Sequence, residues 1–437
     1  MNAIALRSSA LLLVAFLSSQ ASATTWIVDS SGGGDFREIQ PAIDAAVDGD
    51  LILVRPLGSY SSFTIDGKGV TVRAFTEQFR LEFYYQQAIV VRNIRSGSKA
   101  GVVGMRALDA KVLVENCAGE VILENVYFVG TIWMRAVPQL EVRQAQNVSV
   151  TQMIVEPRDV VSTPFPAVQI VDSTVRLTHC NIVGQMPPQS PSYSYSGSEG
   201  GPGVFVSGST LVVARSQVVG GKGGGGDYPY PNGGDGGDGI VAVDADVILL
   251  GSSSDTVRGG DGAPAPLFWG ASGGDGGAGF SGHSALVSKV TLQGGAGGKG
   301  SGGHPDGNPG PDYEGTVTRL DVMPFLDTGS DYQPGEIITV NFTGVESGSL
   351  IWLISNLSGF IPSSNFIGPP LSAIPGRIFV TVGGGTIPRD ATRSLVVPLP
   401  DHLLLEGFPL HFQTVVLGDD GNLYLGQAVS HVIGSNR

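Results

Sequence analysis

Short runs of β-branched and aliphatic residues recur from Val70 to about Leu292, and this repetition constrains the fold more than any other feature of the sequence. Turn-forming Asn, Asp, Gly or Ser residues separate the runs at intervals of roughly ten residues, which predicts many short strands. A coil of roughly 20 residues cannot bury both faces of its own strands. We therefore expect successive coils to stack around one continuous hydrophobic core.

Three glycine-rich insertions interrupt the later coils, at residues 220–239, 259–279 and 294–310. Residues 197–310 hold 36 of the 65 glycines of the chain. Because the insertions recur at the same phase of successive coils, we expect them to stack as an appended layer on one side. Two spacings also predict stacked corners, one between Asn93 and Asn116 and one between Asn125 and Asn147.

Residues 1–23 have the pattern of a cleavable signal peptide. Arg7 precedes an apolar stretch from Ala10 to Leu17, and Ala21–Ala23 ends in small residues, so the mature chain is predicted to start at Thr24. A membrane anchor is the alternative, but an apolar stretch this short does not span a bilayer. We expect a secreted or extracytoplasmic protein with no transmembrane segment in the mature chain.

A short amphipathic helix is predicted over residues 36–47. Its apolar residues follow a period of 3.6, and Asp35 is the candidate N-cap. The strand Leu51–Val54 follows at once. A helix that precedes a series of short strands suggests a cap over the open end of the stack.

The composition changes after Pro311. Residues 316–437 contain alternating strands separated by Gly and Pro turns, among them Ile337–Phe342 and Leu350–Ile354. This pattern predicts a small antiparallel β-sandwich of immunoglobulin-like size.

The N-terminal segment also carries a family resemblance. The stretch DFREIQPAIDAAVDGDLILVRP (35–56), followed by Gly58-Ser59-Tyr60, resembles the cap and first coil of right-handed parallel β-helix proteins of the pectin-lyase-like and pectin-methylesterase-like families. The resemblance implies an all-β chain: a right-handed parallel β-helix solenoid with an N-terminal capping helix over residues 24–312, then the β-sandwich-like domain over 316–437. It also implies secretion and a frequent link to polysaccharide, but fold alone does not establish chemistry.

The catalytic motifs of these families have no counterpart in the sequence. The Asn-Thr-Asp and Gly-His-Gly segments of the hydrolases are absent, the Asp-Asp pair at 419–420 lies outside residues 24–312, and the lyase and methylesterase motifs are absent as well. No catalytic residue can be carried over by resemblance. A site built from other residues would need carboxylates that converge on one glycosidic bond.

A basic region stands out within an acidic chain. Residues 55–106 contain eight Lys or Arg and three Asp or Glu. Arginine pairs with carboxylate and sulfate groups, so a groove for an anionic polysaccharide is one interpretation. The alternative is that outward strand positions must be polar and are basic here by chance. The candidate binding residues are Arg73, Arg80, Arg92 and Arg95.

The glycine-rich insertions suggest a calcium site. The segment Gly233–Val241 matches the Ca²⁺-binding nonapeptide of β-roll proteins, with Asp235 and Asp238 as the candidate ligands. That motif works in tandem, and the neighbouring segments lack the second Asp. A solvated or self-packed glycine loop is therefore the alternative to a bound Ca²⁺.

The same insertions carry aromatic residues. Tyr228, Tyr230 and Trp269 are candidates for contact with sugar or protein, and the alternative is that they cover glycine backbone. Cys117 and Cys180 are predicted to be small buried residues, although export would permit them to form a disulfide.

The net charge limits the classes of partner that the chain is expected to bind. A formal charge of −14 and a pI near 4.8 argue against nucleic acid as a partner. The leading hypothesis is a non-catalytic secreted protein that acts as a cell-surface, matrix, or carbohydrate-binding or adhesive module. The alternative is a polysaccharide lyase or glycoside hydrolase with a divergent active site.

Overall fold

The computed structural model describes residues 23–319 and, beyond them, strands between residues 325 and 432. Within residues 23–319 it leaves out residues 57–58, 76–77, 82–87, 109, 130–136, 157–164, 188–196, 226–231, 252–253 and 267–269. From residue 325 onward the structure describes the backbone of the strands and not their side chains. The side chains of Arg80, Leu81 and Leu108 are likewise not described.

The described chain is all-β with one short helix. The helix α1 spans Ile39–Ala45. The strands up to residue 319 are β1 Thr25–Val28, β2 Leu51–Val54, β3 Ser59–Tyr60, β4 Thr64–Asp66, β5 Thr71–Ala74, β6 Phe79–Leu81, β7 Ala88–Arg92, β8 Lys99–Leu108, β9 Lys111–Val129, β10 Leu140–Thr151, β11 Ile154–Val155, β12 Val168–Val171, β13 Thr174–Thr178, β14 Asn181–Val183, β15 Val204–Ser207, β16 Thr210–Ala214, β17 Gln217–Val219, β18 Ile240–Val243, β19 Asp246–Leu250, β20 Thr256–Arg258, β21 Phe280–Ser288, β22 Thr291–Gln293 and β23 Tyr313–Arg319.

Parallel pairing joins these strands into three ladders. Ladder A contains β1, β2, β5, β8, β9, β10, β13, β16, β19, β21 and β23 in that order. Ladder B contains β3, β6, β8, β9, β11, β14, β17, β20 and β22. Ladder C contains β4, β7, β9, β10, β12, β15, β18, β21 and β23. The long strands β8, β10, β21 and β23 appear in two ladders and β9 appears in all three, because these strands pass from one ladder to the next. The predicted all-β class with a large parallel sheet is confirmed.

One hydrophobic core runs through the three ladders. Alternate side chains of each strand point into it, since successive Cβ atoms of a strand face opposite sides. Val72, Val102 and Leu123 are register partners that point inward in ladder A, and none is more than 1% exposed. Parallel strands that are buried in this way favour β-branched residues, which accounts for the repeated runs in the sequence.

The helix is shorter than its sequence pattern predicts. It starts at Ile39 because Phe36 forms a β-bridge with Val28, so that the chain is still extended there. The predicted N-cap Asp35 is wrong. Its carboxylate accepts a hydrogen bond from Ile27 N–H at 2.9 Å, whereas the N-cap residue is Glu38, which makes no side-chain capping bond.

The corners of the stack use the left-handed backbone conformation. Asn93 (φ 59°) and Asn116 (φ 54°) follow paired strands of ladder C, so these two residues do occupy equivalent corners. The Asn125–Asn147 correspondence is wrong. Asn125 (φ 52°) lies at the corner after ladder A, while Asn147 is inside β10 opposite Glu120.

The described strands beyond residue 325 pair antiparallel. They are β24 Phe325–Thr328, β25 Ile337–Thr343, β26 Gly348–Ser355, β27 Ser358–Ile361, β28 Leu371–Ala373, β29 Ile378–Ile387, β30 Thr392–Pro398, β31 Pro409–Gly418, β32 Leu423–Leu425 and β33 Val429–Val432. They form three separate sheets. The predicted second domain starts at residue 316, inside β23, and that strand still pairs parallel with β21.

Candidate functional site

The glycine-rich insertions form two layers that continue ladders B and C outward. The outgoing layer contains the segments that follow ladder B, at residues 184–187, 220–225, 259–266 and 294–300. The return layer contains the segments that lead back into ladder C, at residues 197–203, 232–239, 270–279 and 304–311. We call each outgoing and return pair a finger.

Backbone hydrogen bonds alternate between the two layers. Gly221 N–H donates to Gly201 O at 2.7 Å, Gly237 N–H to Gly221 O at 2.8 Å, and Gly260 N–H to Gly237 O at 2.7 Å. The series continues through Gly277, Gly295 and Gly310 at 2.8 to 2.9 Å. One bonded path therefore crosses the described parts of all the fingers.

A second set of bonds links neighbouring fingers within each layer. In the return layer Gly236 N–H donates to Asp275 O at 2.8 Å, and Gly276 N–H donates to Asn308 O at 2.8 Å. In the outgoing layer Gly223 N–H donates to Asp261 O at 2.9 Å. The fingers are thus cross-linked in two directions by main-chain groups.

A three-residue Gly-Gly-x period makes this arrangement possible. Three residues per turn is the geometry of a polyproline II-type segment, which has no internal hydrogen bonds and must find partners outside itself. The first Gly of each triplet donates within its layer and the second donates across to the other layer, while the third residue faces outward. The sequence analysis missed this period, although it is visible in GGDGGDG (233–239) and GGDGGAG (273–279).

The outward third positions of the return layer include Asp235 and Asp238, the predicted calcium ligands. Asp235 Oδ1 accepts from Asp275 N–H at 2.7 Å, and Asp238 Oδ1 accepts from Ala278 N–H at 2.7 Å. Asp275 Oδ1 in turn accepts from Asn308 N–H at 2.6 Å. Each carboxylate thus bridges two neighbouring fingers. It accepts the N–H of the third residue of a triplet, which does not bond to a glycine carbonyl.

The charge state of Asp238 is affected by its surroundings. Burial raises the pKa of this carboxyl, the hydrogen bond from Ala278 N–H opposes the rise, and the nearby Glu314 and Glu199 add to it. The described residues contain no group of three or more His, Cys, Asp or Glu side chains that could hold a metal ion. The calcium site at Asp235 and Asp238 stays a prediction.

The structure distributes the predicted basic residues over different faces. Arg73 lies in ladder A, Arg80 in ladder B and Arg92 in ladder C, while Arg95 is in the corner that follows Arg92. Arg92 also forms an ion pair with Asp66 at 2.8 Å. The structure does not bring these four arginines together in one groove.

The candidate aromatic residues Tyr228, Tyr230 and Trp269 lie outside the described residues. Their segments begin and end on described residues of the layers, at Gly225 and Asn232 for the tyrosines and at Pro266 and Gly270 for the tryptophan.

Ladder B carries a small polar cluster that the sequence did not reveal. Tyr127 Oη donates a hydrogen bond to Glu156 Oε1, and this bond raises the pKa of Tyr127. The Arg106 guanidinium lies 5.3 Å from the centre of the Tyr127 ring. Arg106 and Tyr127 are register partners, so an arginine, a phenol and a carboxylate lie on adjacent coils.

A shallow polar cavity of about 260 Å³ lies at the corner between ladders C and A. Asp172, Asp244 and Asp246 line it together with Thr174 and Thr210. Below it, Ser173 Oγ and Ser209 Oγ each accept a backbone N–H of the preceding coil and donate to a carbonyl, which makes them structural.

The two cysteines are free and buried. Cys117 Sγ lies 3.2 Å from Glu115 O, and Cys180 Sγ lies 3.4 Å from Thr178 O. Burial raises the pKa of both thiols, and that of Cys180 rises to about 12. Both belong to the hydrophobic core and are not linked to each other.

Comparison with known proteins adds little about activity. No family model matches the sequence, and no curated protein matches it. A DUF3823 family protein from Bacteroides ovatus is 17% identical with a TM-score of 0.18, and the match covers 27% of this chain and 60% of that protein. The enzymatically active domain of bacteriophage CBA120 tailspike protein 2 is 12% identical with a TM-score of 0.22, over 88% of this chain and 66% of that domain. At these TM-scores neither similarity carries an argument about activity.

Among the described residues no helix has the length and apolar character needed to cross a membrane.

Proposed function

We propose that the mature chain is a secreted, non-catalytic right-handed parallel β-helix of the pectin-lyase-like class that displays its glycine fingers for contact with a polysaccharide or cell-surface glycan. In this proposal α1 caps the N-terminal end of the solenoid, residues 1–23 are removed as a signal peptide, and residues 316–437 form an appended β-sandwich. N-terminal sequencing of the exported protein tests the signal peptide and should start at Thr24.

The hydrogen-bonded finger lattice is the observation that supports this proposal. Its main-chain groups bond to one another, so third-position side chains that do not bridge fingers, such as the exposed Lys222, are available for recognition without loss of structure. A surface pre-organised in this way loses little conformational entropy on binding. The segments with Tyr228, Tyr230 and Trp269 each connect the two layers, and aromatic rings are suited to stacking on sugars.

Binding is tested with the chain lacking residues 1–23 on immobilised neutral and acidic polysaccharides. The triple variant Tyr228→Ala, Tyr230→Ala, Trp269→Ala should lose retention, whereas Tyr313→Ala, a control on an exposed tyrosine of β23, should keep it. Retention of the triple variant at the parental level would refute recognition through the fingers. Loss of retention in chelator, restored by Ca²⁺ but not by Mg²⁺, would support Asp235 and Asp238 as calcium ligands.

The second candidate is a polysaccharide lyase or glycoside hydrolase, and the Arg106–Tyr127–Glu156 cluster, which contains one carboxylate, supports the lyase. Elimination from a uronate needs a cation beside the carboxylate, a base for the C5 proton and an acid for the leaving oxygen, and these three residue types supply such groups. Release of reducing ends or unsaturated products by the parental chain, and its loss in Tyr127→Phe and Glu156→Gln, would favour this candidate. Binding without any product favours the module.

A further inference from the structure

The outer face of ladder A is buried, although outward side chains of a strand stack normally meet solvent. Val212, Ala214, Ile248 and Leu250 point away from the core and form a separate apolar cluster in which no residue is more than 6% exposed. Val103 and Ile122 form a second such cluster on earlier coils. The burial therefore extends along much of the ladder.

The same face also buries charged groups. Arg176 is 5% exposed, and its Nη2 donates to Asn147 Oδ1 at 3.1 Å and to Ser149 Oγ. On the preceding coils Lys99 lies 3.4 Å from Glu120. Burial lowers the pKa of Arg176 to about 10 and also lowers that of Lys99. Charges are rarely buried to this extent on a face that is open to water.

The other two ladders show that this burial is not general. Ile154 in ladder B is 42% exposed and Val243 in ladder C is 45% exposed, while Asn181 and Gln217 are also exposed. Strands of ladder A cannot cover their own outer face. Some other part of the chain must lie on it.

Two observations identify the segment that covers it. Strand β27 contacts β10, a strand that belongs to ladder C through Leu140–Arg143 and to ladder A through Asn147–Thr151. The central strand β26 pairs with both β29 and β31 and contains the apolar run Leu350–Ile354. Five successive apolar residues indicate a strand that is buried on both faces, whereas a sandwich alone buries one.

We propose that the strands between residues 325 and 432 dock on the outer face of ladder A, with the apolar cluster around Ile248 and the buried Arg176 as the centre of the contact. Docking would leave ladders B and C and the glycine layers as the surfaces available to partners. This proposal does not depend on what the glycine fingers bind.

Thiol labelling of the chain lacking residues 1–23 tests the docking. In a chain in which the buried Cys117 and Cys180 are replaced by Ser, Val212→Cys and Ile248→Cys each place one thiol on the covered face, and Val243→Cys is the matched control on ladder C. We expect both test thiols to react with a maleimide about 100-fold more slowly than the control, because labelling then requires local opening. Rates independent of protein concentration would exclude a second copy of the chain as the cover.

A protease site placed within residues 320–324 separates the two parts after folding. After cleavage the fragment should co-elute with the remainder, and its removal in mild denaturant should raise the labelling rates of the test thiols toward that of the control. Rapid labelling in the intact chain would overturn the proposal, and so would protection that persists once residues 325–437 have been removed. The second test position keeps the result interpretable if one variant does not fold.

Discussion

Gly277 N–H donates to Gly260 O at 2.9 Å, and a Cβ atom added to Gly277 would lie 2.2 Å from the carbonyl oxygen of Gly237. The neighbouring segments thus approach too closely for any side chain. At Gly274 the corresponding clash is 2.0 Å, with Gly234 O. Gly277 and Gly274 are needed for close backbone approach and not for a positive φ, because neither residue has one.

Gly274→Ala should therefore destabilise the fingers. A methyl group at this position forces neighbouring fingers of the return layer apart and weakens the backbone bonds of Gly274 to Ala263 and Gly298, so we expect a loss of at least about 2 kcal/mol in unfolding free energy. Lys222→Ala is the matched control, since the exposed Lys222 occupies an outward third position and should tolerate the change within about 0.5 kcal/mol. Urea unfolding of both variants measures the difference, and equal stability would contradict the close packing.

Asp238 should respond differently to two substitutions. Its pKa is raised in the folded state, so the group contributes stability below its ordinary value of 3.8, and that contribution is lost as the pH rises through the raised value. At neutral pH the buried charge is therefore unfavourable. Asp238→Asn keeps an acceptor for Ala278 N–H without the charge, and we expect it to be neutral or stabilising by up to about 1 kcal/mol.

Asp238→Ala removes the acceptor as well. Ala278 is buried, so its amide would lose its partner, at a cost of about 1–3 kcal/mol. At neutral pH the Asp238→Asn variant should thus have an unfolding free energy equal to or above that of the parental protein, and Asp238→Ala should have the lowest of the three. Near pH 3.8 the difference in unfolding free energy between the parental protein and Asp238→Asn should become smaller. A bound Ca²⁺ would reverse the order of Asp and Asn in its presence, which separates the two roles of this carboxylate.

The last finger ends the lattice. By register Pro309 corresponds to Gly276, whose N–H donates to the next finger, and proline has no N–H to offer. At the free edge of the same finger, the carboxylate of Asp312 accepts a hydrogen bond from Gly294 N–H (3.1 Å) and that of Asp306 accepts one from Gly300 N–H (2.9 Å). Such an edge resists addition of another chain, as edge strands of soluble sheets do.

Pro309→Gly combined with Asp306→Ala should open this edge. We expect the variant to self-associate as its concentration rises, because unpaired amides then face a neighbouring molecule. Light scattering measures the mass, with Pro264→Gly as the control at an outward third position. If the variant has the same mass as the control at every concentration, the proline and the aspartate at this edge are not what prevents self-association.

Sequence patterns predicted the all-β class and the large parallel sheet because runs of β-branched residues indicate buried strands, as at Val121–Leu123. The patterns failed where contact with a residue distant in the sequence determines the local structure. Phe36 has the helical spacing, yet it bridges Val28 and delays the helix. Coils also differ in length, so sequence spacing did not reveal that Arg73 and Arg92 lie on different ladders or that Arg176, an outward residue, is buried.

The two cysteines yield a final prediction. Because Cys117 and Cys180 are free and buried with raised pKa values, neither should react with a thiol reagent in the folded protein, and both should react on unfolding. The melting temperature should not change with reductant, since no disulfide joins them. Cys180→Ser places a hydroxyl among the same carbonyls and should cost about 1 kcal/mol, whereas Cys180→Leu overpacks the site by about 1–3 kcal/mol. A reductant-sensitive melting temperature would show that the protein carries a disulfide that the structure lacks.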